Sequence, residues 1–396
     1  MKEEKYMKKL FALLLAVMML VPVFAAADNV IKIGVFEPST GDNGAGGKQE
    51  ILGIQYANSL APTVTIGGEE YKVELVIEDN QSVNDKAVTA AASLVNNGVS
   101  VVLGSYGSGV CMAAGDTFVD AEVPAIGVSC TNPNVTALCD YYWRICFLDP
   151  FQGSVMANFA ISKGSTTAYV LNMQGEDYGS GLANYFIEAF KALGGTVIGD
   201  KPETFPEGTS DFTAYINNAM NANADLFFAP CSTTYAALII DQAAAQGVSF
   251  PIMAGDTWEN SAILNAAKGK NVEVYCSTFF DENDDAAAAA DFVKGFKEWL
   301  NADAGNLNNN GGNDIVAAVS ALGFDAYNVA LAAIVAADSA DSKAIAEALP
   351  SVVYEGVTGS IAFDDIGDAK KDMAYIKYAN PETGAFDFVK TQKVGE

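Results

Sequence analysis

One feature limits the fold more than any other: short apolar stretches alternate with amphipathic ones, and the alternation runs through twice. "IKIGVF" (31–36), "YKVELVIED" (71–79), "VSVVLG" (99–104) and "VPAIGVS" (123–129) read as strands. Between them, "KQEILGIQYANSL" (48–60) carries Ile51, Ile54 and Ala57 at helical spacing, and "DKAVTAAASLVNN" (85–97) is a helix closed by Gly98. The rhythm then restarts. "TTAYVL" (166–171), "ADLFFA" (224–229), "FPIMAG" (250–255) and "VEVYCSTF" (272–279) are strands, separated by helices over 179–195 and 233–247. Strands that alternate with helices form parallel sheets with helices on both faces. Two series predict an α/β chain of two doubly wound parallel-sheet lobes. Past residue 280 the pattern turns helical over Ala286–Leu300 and Asp314–Ala337, then returns to strands at 359–364, 373–378 and 386–390. The Asn/Gly-rich stretch 301–314 between the two helices is expected to be a surface loop.

Residues 1–27 stand outside this pattern. Lys8 and Lys9 precede an apolar run from Leu10 to Val21, and Ala25-Ala26-Ala27 follows Pro22. That is the layout of a cleavable secretory signal, cut after Ala27. A membrane anchor is the alternative, but the run falls short of the roughly 20 apolar residues a span needs. No Cys stands at the cut to carry a lipid, so the mature chain is expected to be extracytoplasmic with no direct membrane insertion. Of the chain's 22 basic and 49 acidic side chains, 18 and 47 then remain, for a net charge of −29 over 369 residues. Such a length suits two domains. The charge repels nucleic acid and anionic lipid, and favours a neutral zwitterion or a cation as ligand.

The chain has no His. This removes the commonest general base and the commonest metal ligand together. The six Cys (111, 130, 139, 146, 231, 276) show no CxxC pair, so neither a metal site nor any cofactor is expected. Cys139 and Cys146 flank a short segment and are the candidates for a disulfide; the alternative is six buried free thiols. No GxxxxGK[ST] loop occurs, and the single GxG at Gly44–Gly46 is weak evidence for a nucleotide.

In doubly wound sheets, ligands sit beyond the carboxyl ends of the strands. Four loops there are unusual: "SYGSG" (105–109), "SCTNPNVT" (129–136), "NMQGEDYGSG" (172–181) and "GDTWEN" (255–260). The hydroxyls of Ser108 and Thr131, beside a helix start, suit a carboxylate, because the helix dipole adds attraction for negative charge. Asp256 offers the opposite sign. Donors on one lobe and a carboxylate on the other fit an α-amino acid. Each residue also has a structural reading. Ser108 and Thr131 serve equally as helix caps, and Asp256 as the cap of a helix starting near Glu259. Tyr178 reads also as a surface aromatic, and Trp258 as packing beneath its loop.

Several segments together resemble the substrate-binding proteins of branched-chain amino acid (Leu/Ile/Val-type) ABC transporters. They are "IKIGVFEPSTGDNG", "AIGVSCTNPNVT", "YYWRICFLDPFQGSVMANFA", "GEDYGSGLA", "PIMAGDTWEN" and "GVTGSIAFDDIGDAKKDMAYIKY", and they span about residues 30–390. The resemblance implies a type I periplasmic binding protein: two lobes joined by three hinge crossings, closing on a ligand and delivering it to a membrane permease. It implies hinges near Cys146–Pro150, Thr278–Asp281 and Tyr354–Thr358. The first lobe would comprise 28–148 with 280–356, and the second 149–279 with 357–396. It puts carboxylate-binding hydroxyls at Ser108 and Thr131, an ammonium-accepting carbonyl at Ser129, an acidic ammonium partner at Asp256 and an aromatic lid at Tyr178. Where some relatives place a large aromatic near the ligand side chain, this chain has Asn43-Gly44-Ala45-Gly46, leaving room for a larger or polar side chain or for Tyr106 and Trp258 to fill.

Two other readings stand beside this one. The same two-lobed clamp could present its ligand state to a signalling receptor, which genomic context would distinguish. An exported hydrolase would need a base for its Ser; with no His and no G-x-S-x-G elbow the chain is not expected to be an enzyme. A monomer is the working expectation.

Overall fold

The structure is a computed structural model that describes residues 29–393 apart from 285. The expected signal segment, 1–27, lies outside the described residues. The apolar runs pair into two large sheets. β1 (Val30–Glu37), β2 (Thr63–Ile66), β3 (Glu69–Asp79), β4 (Val101–Leu103), β5 (Ala125–Gly127) and β6 (Tyr142–Arg144) form the first, in the order β2-β3-β1-β4-β5-β6. All pairs are parallel except the β2–β3 hairpin. β4 and β5 are buried end to end, which is why they read as unbroken apolar runs rather than alternating ones; β6 is equally buried but carries Arg144 and gives no such run.

The second sheet holds β7 (Thr167–Met173), β8 (Thr196–Val197), β9 (Glu203–Phe205), β10 (Leu226–Phe228), β11 (Ile252–Ala254) and β12 (Val274–Thr278). After a separate two-stranded hairpin, β13 (Val353–Gly356) and β14 (Gly359–Ala362), the chain adds β15 (Met373–Asn380) and β16 (Ala385–Lys393) to the same sheet. The order is β16-β15-β12-β11-β10-β7-β8, with β9 also beside β7. The alternating strands are parallel as expected, and two C-terminal strands are added to the edge of this sheet. β15 and β16 run antiparallel to β12 and to each other. They are joined by a tight turn at 381–384, and a short turn can join only antiparallel strands.

Helices cover both sheets: α1 (Gly44–Leu60), α2 (Asn84–Asn96), α3 (Ser108–Asp120) and α4 (Asn134–Ala137) in the first half, then α5 (Asp149–Ser162), α6 (Asp177–Ala192), α7 (Thr213–Asn221), α8 (Thr233–Gln246) and α9 (Ser261–Ala267). α10 (Ala287–Ala302), α11 (Ala304–Asn309), α12 (Ala318–Ala337) and α13 (Ser342–Ala348) follow β12. α11 corrects the reading of 301–314 as loop: the Asp303 carboxylate accepts from the amides of Gly305 and Asn306 and starts a short helix there. α1 starts four residues earlier than expected, because its glycines serve close packing. A Cβ on Gly47 would lie 2.1 Å from the Pro38 carbonyl oxygen.

α12 returns to the first lobe and packs against α1. The backbones approach closely: a Cβ on Gly53 would lie 2.0 Å from the Ser320 carbonyl oxygen. By length and hydropathy α12 could cross a membrane, but most of it is buried inside the protein, so it is a core helix. All six cysteines are buried and free, so Cys139 and Cys146 are not paired.

Between the sheets the chain passes three times: from β6 to α5, from β12 to α10 and from β14 to β15. A buried ion pair ties the third passage to the first sheet. Arg144 Nε donates to Asp368 Oδ1 at 2.6 Å, and neither side chain is exposed. The same guanidinium donates to the carbonyls of Cys130 (2.9 Å) and Asn132 (2.5 Å) and to Thr136 Oγ1 (3.0 Å). It thereby fixes the shape of the loop that carries Ser129 and Thr131.

Candidate functional site

In each sheet the strand order reverses at one place, and two crossovers leave there in opposite directions. In the first sheet this is between β1 and β4; in the second, between β7 and β10. The loops beyond these strand ends face one another, as expected for a crevice at a switch point. α3 starts at Ser108 and α6 at Asp177, and their first turns are in contact across the gap. Both helices direct their positive ends at the space between the lobes.

From the first lobe, Ser108 Oγ accepts from the Asn132 amide at 3.2 Å. It does not cap its helix: Gly107 holds the cap position. Thr131 is fully buried, and its hydroxyl faces the Asp149 carboxyl. Neither hydroxyl is therefore explained by capping. Ser129 is also buried, and its hydroxyl donates to Glu50 Oε1. Tyr106 lies against Gly46, where an added Cβ would sit 2.3 Å from its ring. The phenol thus occupies the space left by the missing side chain at 46. Its hydroxyl crosses the gap and donates to the Thr257 carbonyl at 3.3 Å.

From the second lobe come Tyr178 and Asp256. Asp256 opens a single 3₁₀ turn after β11, and the cap of α9 is Asn260, so Asp256 does not cap that helix. Its Oδ1 accepts from Gln152 Nε2 at 2.7 Å and from the Tyr178 hydroxyl at 3.1 Å. The carboxyl is only 2% exposed, and burial pushes its pKa up to about 6 despite these donors. Tyr178 packs over Gly255, whose missing Cβ would lie 2.4 Å from its hydroxyl. Tyr178 is thus a buried residue beside Asp256, not a surface aromatic. Trp258 belongs to the core of the second lobe, and its Nε1 donates to the Cys231 carbonyl at 3.2 Å. Packing accounts for it.

Four further groups complete the cluster. Gln152 on α5 donates to both Asp256 and Ser277 Oγ (3.0 Å), so it orients the carboxylate from the first hinge passage. Asp149, at the start of the same helix, is fully buried beside Thr131; burial holds its carboxyl well above the usual range. Glu37, at the end of β1, and Glu50, on α1, are buried together near Ser129 and Tyr106. Sequence analysis missed these four. Glu50 left a trace: it stands four residues before Ile54, on the apolar stripe of its own helix, where a charge is out of place.

The sequence matches the periplasmic binding protein family over residues 30–379. The chain belongs to that family. A Leu/Ile/Val-binding protein homolog from Brucella abortus is 27% identical over 363 residues, covering 89% of this chain and 91% of its own. The leucine-binding protein LivK of Thermotoga maritima superposes with a TM-score of 0.82 at 32% identity, over 92% of this chain and 99% of that one. LivJ of Streptococcus pneumoniae, solved with isoleucine, gives 0.79 at 26%, over 92% and 99%. A Rhodopseudomonas palustris solute-binding protein solved with benzoate gives 0.77 at 19% over 92% and 96%, a likeness of fold alone. As a periplasmic binding protein, the chain captures a solute for an ABC transporter and is not an enzyme.

Proposed function

We propose that the protein binds an α-amino acid between its lobes outside the cytoplasm and hands it to a membrane permease. The ligand carboxylate lies at the start of α3, on Ser108 and Thr131. The ammonium lies on the Ser129 carbonyl and the Asp256 carboxylate, with Tyr178 closing over it. The reading takes the lobes as 28–148 with 280–356 and 149–279 with 357–396. It places the hinges near 146–150, 278–281 and 354–358. Tyr106 forms the wall of the side-chain subsite.

The observation that carries this reading is Asp256, a carboxylate buried with no lysine or arginine beside it among the described residues, opposite the start of α3 at Ser108. A monoanion such as benzoate would meet the first feature with like charge, whereas a zwitterion matches both ends. A thermal-shift screen of the mature protein against amino acids and aromatic acids tests it. A ligand at 100 times its Kd stabilises by about 2.7 kcal/mol. If only aromatic acids shift the melting temperature, the reading is wrong.

A further inference from the structure

The three passages between the sheets together line a cavity of about 140 Å³. Ile145 and Phe147 come from the first passage, Phe279 from the second, and Lys371 and Met373 from the third, with Leu322 of α12 beside them. None of the residues around Ser108 or Asp256 takes part. The Phe147 and Phe279 rings, 4.2 Å apart between centroids, join the first passage to the second. The walls are thus largely apolar. An apolar cavity of about 150 Å³ holds a benzene ring, so this one has room for about six carbon atoms.

The polar end of the cavity is Lys371, a half-buried side chain. Its ammonium has three N–H donors, and one of them goes to the Thr358 carbonyl at 2.9 Å. Among the described residues Lys371 belongs to no ion pair. The charge of Asp325 reaches it, but the oxygens of that carboxylate are already engaged. Oδ1 accepts from the Val357 amide at 3.0 Å, and Oδ2 from the Thr358 amide at 2.8 Å and the Thr358 hydroxyl at 2.6 Å. Burial lowers the pKa of Lys371 from its ordinary value in spite of Asp325. Lys370 and Asp372, both exposed, bring opposite charges to the rim and offset each other. A cation with spare donors therefore stands at one end of an apolar chamber. A carboxylate would accept from it in a charge-assisted bond, and a short apolar body would gain by leaving water for the remaining space.

We propose that this cavity is a second ligand site, for a small monocarboxylate with an apolar body of about six carbons, held by Lys371. The site lies apart from Ser108 and Asp256 and does not depend on the amino-acid reading above. Because every passage between the sheets contributes to its wall, an occupant favours the arrangement of the passages seen here over any in which they move apart.

The test is a ligand-observed NMR titration of the full mature chain at pH 7.5 with three probes of one length: hexanoate, hexanol and hexylammonium. Hexanoate should bind at a single site at least tenfold tighter than either of the others. Lys371→Met keeps the length of the side chain and removes its charge. It should weaken hexanoate about 10- to 100-fold, the range of a hydrogen bond to a charged group, and leave hexanol within threefold. Lys371→Arg should retain most of the hexanoate affinity. Ser108→Ala should leave hexanoate unchanged, because that hydroxyl is on the other site. The three probes on the parent, with Ser108→Ala, decide the point even if Lys371→Met does not fold. Absence of hexanoate binding, or hexanol binding as tightly as hexanoate, overturns the inference. So does hexanoate binding that Ser108→Ala weakens tenfold or that Lys371→Met leaves intact, since the probe then occupies the cleft between the lobes. None of these failures touches the amino-acid reading, which the amino-acid screen tests separately.

Discussion

Replacing Asp256 by Ala is the sharpest test of how the two lobes share the ligand. The wild-type carboxylate is buried, oriented by Gln152 and Tyr178, and among the described residues has no lysine or arginine beside it. On the proposed reading, Ala in its place leaves the ligand ammonium in the same space with the Ser129 carbonyl as its remaining acceptor. Breaking a buried charge pair in this way costs about 3–5 kcal/mol. At about 1.4 kcal/mol per decade, the dissociation constant should rise by roughly two to nearly four decades. The unliganded variant should not lose stability in proportion. A pKa raised from 3.8 to about 6 means that the ionised carboxylate costs the folded state about 3 kcal/mol at pH 8. Removing it recovers that amount, offset by the two donors left unpaired at about 1–3 kcal/mol each. The assay is isothermal titration at pH 7.5 together with a thermal melt of each protein. A variant that melts like the parent and binds within threefold of it would refute the ammonium assignment.

Four further outcomes follow from the same geometry. Ser108→Ala should cost about 1.5–3 kcal/mol of binding, one to two decades in Kd by titration, since it removes one donor to a charged carboxylate. Affinity should fall as pH drops through about 6, becoming about tenfold weaker at pH 5, because protonated Asp256 cannot pair with an ammonium. The unliganded protein should show the opposite slope. Glu50 and Asp256 have raised folded pKa values, so their contribution is fully present below about pH 4 and is lost as pH rises through 6 to 7, and thermal melts across that window should show it. Asp368→Ala should destabilise the fold by about 3–5 kcal/mol in urea unfolding, because it leaves Arg144 buried and unpaired.

The alternation of strand and helix placed both sheets and most of their helices, because that pattern follows directly from which faces are buried. β2 escaped notice because four residues of strict alternation, Thr63-Val64-Thr65-Ile66, are too short to stand out. α11 escaped because Asn and Gly at 301–314 read as loop, and only the Asp303 cap turns part of it into helix. In the site, the loops after strands pointed to Ser108, Thr131, Tyr178 and Asp256, since loop composition departs visibly from packing needs. Glu37, Asp149 and Gln152 were not legible. Glu37 closes a strand whose other residues simply look buried, and Asp149 and Gln152 open a helix where acidic and polar residues are ordinary. What distinguishes them is burial without a charge partner, a property of the assembled lobes rather than of any segment.

The same distinction bears on how closure is controlled. Several neutral hydrogen bonds already join the lobes: Tyr106 to the Thr257 carbonyl, Asn132 Nδ2 to the Asp177 carbonyl at 3.0 Å, Asn260 Nδ2 to Gln49 Oε1 at 3.0 Å, and Thr234 to the Asp42 carbonyl at 3.1 Å. Each contributes a net of about 0.5–1.5 kcal/mol. Against them stands the mouth of the cleft, a groove of about 310 Å³ where Asp42 and Asp85 of one lobe approach Glu176, Asp177 and Glu207 of the other with no lysine or arginine in its lining. Their repulsion grows as the lobes close, and burial raises the pKa of Glu176 to about 7. Closure of the proposed clamp is thus opposed by like charge and favoured by neutral bonds. A ligand can shift such a balance only through contacts that exist in the closed state alone. On the proposed amino-acid reading the Asp256–ammonium pair would have that property, because Asp256 follows β11 of the second sheet and Ser129 follows β5 of the first.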